Sequence, residues 1–215
     1  MRRIEKRPEP SSLERERTDG NCYGDLRKET RQAIQKQLCD EQKYLCSFCE
    51  SRIEPDGKSM KIAHFVPRSV DQSLSLVWHN LYGACYGNEP SSNQAESEKS
   101  IARRDVTEDV ALHCDAKQGS KCLDTRLRPD SIATGLIQFQ QDGTVYCQDL
   151  NLDKDINAKL NLNHPRLKKN RLRALKRLIA DETLTGIPAD ELVQQGLADD
   201  GRLRPYLSYL LAMVG

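Results

Sequence analysis

Cys46 and Cys49 are separated by two residues, Ser47 and Phe48. At that spacing a tight turn brings two thiolates onto one zinc ion at about 2.3 Å each. Such a site needs two more ligands. A second C-x2-C pair is missing, because Cys85 is followed by Tyr86, Gly87 and Asn88, and the next thiol is Cys114. Cys46, Cys49, Cys85 and Cys114 are therefore expected to form a closed four-thiolate structural zinc site, with Cys122 and His113 as rivals for the fourth position. The other three cysteines, Cys22, Cys39 and Cys147, read as small buried hydrophobes.

His64 and Asn80 lie between the two halves of this clamp. An imidazole with an ordinary pKa of about 6.5 can take a proton from water near neutral pH. Thiolate anchors on both flanks would fix where the imidazole and the amide point.

The elements that must position these groups are legible in the hydrophobic spacing. Leu26, Ile34, Leu38 and Leu45 recur near the 3.6 period among charged residues, predicting an amphipathic helix over Asp25 to Tyr44 that delivers Cys46. A turn through Pro55-Asp-Gly57 leads to a strand over Met60 to Val66, stopped by Pro67. An apolar cluster runs from Leu74 to Cys85. Leu136 to Gln140 and Thr144 to Cys147 flank Asp142-Gly143, the signature of a hairpin closed by a two-residue turn.

From Asp153 onward the pattern is helical. A short helix near Ile156 to Leu160 precedes one opened by Pro165 and running to about Asp181, and two amphipathic segments follow, Ala189 to Leu197 and Leu203 to Val214. The organisation expected is α+β in class. Residues 1–24 read as an irregular basic arm, 25–150 as a zinc-bound domain interrupted by a polar insertion at 87–112, and 151–215 as a helical region.

Composition narrows the function classes. With 33 basic against 32 acidic residues the net charge is +1, which excludes a uniformly basic, histone-like binder but not a basic face. Apolar residues reach only 37%, so the core is lean and a metal centre would help to hold it. Met1 to Ser12 has no apolar signal-like run, and no stretch approaches the 18 apolar residues of a membrane span. A cytoplasmic, membrane-free protein with reduced thiols is expected.

Taken in order, Cys46-x2-Cys49, Ile62-Ala63-His64-Phe65-Val66-Pro67-Arg68, Trp78-His79-Asn80-Leu81, Cys85 and Cys114-Asp115 resemble the HNH, or ββα-metal, nuclease motif. Further phrases, Glu41-Gln42 before the first cysteine pair and Leu160-Asn-Leu-Asn-His164 with Asn170-Arg171, narrow the resemblance to the PtuB-type nucleases of Septu and retron-associated anti-phage systems. The resemblance spans residues 1 to about 180. It implies a zinc-stabilised ββα-metal core with added N-terminal and C-terminal helices, acting as a metal-dependent endonuclease on DNA, or on RNA such as tRNA. It also implies that His64 is the general base, that Asn80 orients the His64 loop or binds a catalytic Mg²⁺ or Mn²⁺, and that Asp115 is a further ligand of that ion. The residue before the catalytic histidine is usually acidic in that family; here it is Ala63, whose methyl can coordinate nothing, as in an inactivated variant. A non-catalytic zinc-ribbon adaptor for nucleic acid or protein is the alternative reading.

Between Asn163 and Arg177 there are seven basic residues and no acid, threaded by Leu167, Leu172, Leu175 and Leu178. On a helix the leucines would pack inward, leaving Lys168, Lys169, Arg171 and Arg173 among the cations facing phosphates, with Arg68 a second contact beside the active strand. The partners implied by the resemblance are nucleic acid, a PtuA-like ABC-type ATPase and, in retron versions, a reverse transcriptase with its RNA/DNA hybrid.

Overall fold

The computed structural model describes residues 1–89, 111–194 and 201–215; most of the expected polar insertion and the end of the segment expected at Ala189 to Leu197 lie outside them. The expected helix is α2, Lys28–Gln42, following a short α1, Ser11–Thr18. Its stripe of Ile34 and Leu38 is fully buried. The helix is stopped by two consecutive left-handed residues, Lys43 (φ 53°) and Tyr44 (φ 62°), with the Tyr44 amide donating to the Cys39 carbonyl at 2.8 Å.

That reversal feeds a turn in which the Cys46 amide donates to the Ser51 carbonyl (2.9 Å) and the Glu50 amide to the Cys46 carbonyl (3.0 Å). Strands β1, Met60–His64, and β2, Leu81–Cys85, then pair antiparallel, from Met60 opposite Cys85 to His64 opposite Leu81. Gln42 at the end of α2 locks to this hairpin: its side chain accepts from the Gly83 amide (2.7 Å) and donates to the Gly83 and Leu45 carbonyls (both 2.8 Å). Glycine eases that approach, since a Cβ at position 83 would lie 3.0 Å from Ile53 Cδ1 and 3.1 Å from Gln42 Nε2 and would push both side chains back by a few tenths of an ångström.

A short helix, α3 (Cys114–Gln118), packs beside β2, and Gln118 Nε2 donates to the Phe65 carbonyl at 2.9 Å. A small hairpin, β3 (Gln138–Phe139) and β4 (Val145–Tyr146), follows. Its loop differs from the expected two-residue turn. Gln140 pairs with Thr144 across three residues, Asp142 caps the Thr144 amide at 2.9 Å, and Gly143 takes the left-handed position at φ 82°.

The C-terminal part comprises α4 (Leu150–Lys154), a π-helical turn (Asp155–Lys159), α5 (Pro165–Thr185), α6 (Ala189–Gln194) and α7 (Leu207–Val214). Proline at the first position opens α5, the His164 ring accepts from the Arg166 amide at 3.1 Å, and Gly186 closes the helix at φ 70°. The change of composition near residue 150 is not a break in packing. One buried cluster runs from Cys46, Phe48 and Phe65 through Leu152 and Leu167 to Leu207 and Leu210. Leu207, Tyr209 and Leu210 on α7 close this core, and the Ser208 amide and hydroxyl both donate to Glu50 in the cysteine turn.

Residues 1–24 are not the irregular arm that their charge suggests. Met1 and Ile4 are buried, the Ile4 amide donates to the Pro129 carbonyl (2.8 Å), and Leu13 of α1 is fully buried against α2. Lys6, read as part of a basic tail, has its ammonium 3.8 Å from the centre of the Trp78 ring and 3.4 Å from Glu41. Apolar residues interleaved with the charges decide the outcome.

Candidate functional site

The sulfurs of Cys46, Cys49, Cys85 and Cys114 all lie within 4.8 Å of one another. Cys49 and Cys85 are 3.8 Å apart, the edge length of about 3.8 Å that a tetrahedron with 2.3 Å zinc–sulfur bonds requires. The cysteine turn supplies the first pair, the end of β2 the third ligand, and the first residue of α3 the fourth. Cys122 is exposed and away from the cluster, and His113 stands behind the ligands, its Nδ1 3.2 Å from Cys114 Sγ. Gly87 (φ 59°) makes room for the fourth ligand: a Cβ there would lie 2.0 Å from the His113 carbonyl oxygen.

The donor set fits zinc chemically as well as geometrically. Four thiols packed together cannot all ionise without a cation. Hydrogen bonds from Cys114 and its neighbours hold the Cys49 thiol well below its usual pKa, while burial pushes Cys114 up. The Cys85 amide donates to Cys46 Sγ at 3.4 Å, and Ser51 Oγ lies 3.2 Å from Cys49 Sγ, polar contacts suited to orienting thiolate ligands. A buried cluster able to hold a structural zinc ion is thus present. Of the remaining cysteines, Cys39 and Cys147 are buried as expected, but Cys22 is exposed, with its thiol 2.7 Å from Asp25.

His64 ends β1, and its ring is buried. Nε2 lies 3.0 Å from the Ser75 carbonyl oxygen. A carbonyl can only accept, so Nε2 carries the hydrogen and Nδ1 keeps the lone pair. Burial lowers the pKa of the ring below 6.5, with Arg68 acting in the same direction and the Ser75 bond and Asp115 opposing it. Burial thus favours the neutral imidazole, with Nδ1 as its basic nitrogen. Tyr23 meets it edge-on, ring centres 4.7 Å apart, and the Arg68 guanidinium stacks 4.5 Å from the Tyr23 ring centre. Tyr23 and Ser75 lie outside every sequence motif; a lone aromatic between two helices carries no signal.

Asn80 is wholly occupied with the backbone. Its Oδ1 accepts from the Val66 amide (2.8 Å) and its Nδ2 donates to the Val66 (3.0 Å) and Leu74 (3.1 Å) carbonyls. Asp115 Oδ2 is 2.9 Å from Lys61 Nζ, which also contacts Glu89 at 2.6 Å. Ala63 is 1% exposed, facing the core beside Phe65. These positions do not fit a divalent ion as they stand, since one side chain has no donor, one is bonded to backbone and one is paired with an ammonium. Among the described residues the four cysteines form the cluster of three or more His, Cys, Asp or Glu donors close enough to share an ion.

The cations divide by helix face. Arg171, expected at phosphates, is 2% exposed and donates to the Gly143 carbonyl at 2.9 Å, because its position falls on the inward face with Leu167 and Leu178. Lys168 is half-buried and paired with Asp142 at 2.7 Å. Lys169, Arg173 and Arg68 are exposed.

No protein-family model matches the chain. Over 40 residues, 19% of this chain, it is 35% identical to the Septu protein PtuB of Bacillus thuringiensis, and the matched segment spans 16% of that relative's length.

Proposed function

We propose that this chain is an HNH-type endonuclease acting in a Septu-like anti-phage defence complex, with His64 as the base that activates water against a phosphodiester. The observation that carries the reading is the contact of His64 Nε2 with the Ser75 carbonyl oxygen. A neutral imidazole held through Nε2–H to a backbone carbonyl, at the end of a strand whose partner carries a cysteine ligand, leaves Nδ1 to accept a proton. Water would lose its proton to Nδ1 as its oxygen bonds phosphorus, and the bond from phosphorus to the leaving sugar oxygen would break, that oxygen taking up a proton from solvent. Arg68, exposed and stacked on Tyr23, would hold a phosphate oxygen. Asn80 fits the loop-orienting role better than that of a ligand, since it fastens both ends of the segment from Val66 to Asn80.

Support for the defence setting is the 40-residue likeness to the Septu protein PtuB. In that setting the partner is a PtuA-like ATPase, and retron reverse transcriptase with its hybrid nucleic acid is a further one. A catalytic Mg²⁺ or Mn²⁺ would have to displace Lys61 from Asp115 in order to bind there. Ala63 and this pairing favour a second reading, a zinc-stabilised adaptor without chemistry of its own.

The two readings separate in one assay. The purified chain, with and without its ATPase partner, is offered duplex DNA and total RNA in Mg²⁺ or Mn²⁺ beside His64→Ala. Cleavage by the parent and at least a hundredfold loss in the variant supports the nuclease. Equal cleavage by both removes His64 from the chemistry, and no cleavage by either leaves the adaptor.

A further inference from the structure

Helix α5 carries two rows of side chains with opposite chemistry. Leu167, Arg171 and Leu178 are buried on one side, with Ala174 and Leu175 packed against the core. Arg166, Lys169, Arg173, Lys176 and Arg177 are exposed, at the i, i+3, i+4 intervals that align residues along one helix face. Among the described residues no carboxylate pairs with Lys169, Arg173, Lys176 or Arg177, whereas Lys168, turned toward the hairpin, pairs with Asp142. No acid occurs from Pro165 to Ile179, and the helix has no aromatic residue.

The row spans eleven residues of rise, about 16 Å. Over that axial length one strand of a duplex carries about five phosphates. Its first member, Arg166, donates to Asn88 Oδ1 at 2.9 Å, and the neighbouring Glu89 pairs with Lys61 on β1, so the row begins beside the strand that bears His64. Single-stranded nucleic acid is gripped largely by stacking bases on aromatic rings, and α5 has none to offer. Exposed unpaired cations in a straight line suit a stiff phosphate backbone.

We infer that this face of α5 is a docking surface for the phosphate backbone of double-helical nucleic acid. The inference deepens the nuclease reading by naming duplex as the form presented to the site; the row holds the strand and takes no part in bond cleavage. Because it meets phosphates alone, binding is indifferent to base sequence.

The test is fluorescence anisotropy of the full-length chain with a labelled 30-base-pair duplex and its separated strand across a salt series. The parent is compared with Lys169→Ala/Arg173→Ala/Arg177→Ala and with a charge-matched control, Lys28→Ala/Lys36→Ala/Lys58→Ala, whose sites lie elsewhere on the exposed surface. The expected result is tighter binding of duplex than of strand, at least tenfold weaker binding in the α5 variant, a salt slope shallower by about three, and little change in the control. Equal losses in both variants, or an unchanged α5 variant, would overturn the inference, as would a preference for the single strand. Loss of an acidic protein partner while duplex binding persists would reassign the face to protein docking. His64→Ala keeps the two readings apart: it should bind duplex like the parent, and a parent that binds but never cleaves sinks only the nuclease.

Discussion

Tyr23 stands edge-on to His64, ring planes at 78° and centroids 4.7 Å apart, so a residue just ahead of α2 covers the imidazole at the end of β1. The contact covers one side of the ring, and burial is the leading cause of its lowered pKa.

Removing that cover should be visible in solution. The His64 ring is expected to titrate below 6.5 in the parent and to move back toward 6.5 in Tyr23→Ala, followed by proton-detected imidazole NMR. The sign for stability follows. An unfolded histidine binds its proton at a higher pH than the folded one, so stability is lost as pH falls from 6.5 through the folded value. An unchanged titration in Tyr23→Ala would mean that other groups desolvate the ring.

Metal analysis should find one zinc per chain, with Cys49→Ser and Cys114→Ser each losing it. Strong chelation should lower the thermal midpoint sharply, since four ligands drawn from three separate elements hold the hairpin and α3 together. Cys122→Ser should retain metal and melt like the parent, because its thiol is exposed and outside the cluster.

Two glycines make a graded pair. Gly87→Ala puts a methyl 2.0 Å from a carbonyl oxygen and forces a left-handed φ, for an expected loss of about 3 kcal/mol or more in denaturant melts. Gly83→Ala meets mainly the flexible ends of Ile53, Gln42 and Met60, at 3.0 to 3.2 Å, and should cost about 1 to 2 kcal/mol.

Burial between Trp78 and Tyr82 lowers the Lys6 pKa from 10.5 to about 8, against the opposing pull of Glu41. Between those values the unfolded chain holds a proton that the folded chain has released. Stability should therefore climb from pH 8 toward pH 10.5, by at most about 3 kcal/mol from this residue. Lys6→Met should lack that climb when melting is followed across the same range.

The ligands of the candidate zinc site were legible because their chemistry is written in residue type and spacing: C-x2-C names a turn, and two further thiols complete a tetrahedron. Helices α2 and α5 were legible for a similar reason, each having a periodic apolar stripe with identifiable ends. What could not be read is which cation points inward. Arg171 sits amid six other basic residues, and only the packing of α5 against the β3–β4 hairpin selects it for burial. Nor could the path of residues 1–24 be read, since Met1, Ile4 and Leu13 are too sparse to show a period. The covering of His64 by Tyr23 and the pairing of Lys61 with Asp115 join residues more than forty positions apart, beyond the reach of local pattern.

Cys85 and Cys114 bring the two ends of a 28-residue stretch onto one centre. With an ion bound there, the peptide linkage across that stretch becomes a redundant tie. A protease nick between Glu89 and Ala111 should therefore leave the two pieces joined through the ion as well as through their shared core, and a chelator should weaken that joint.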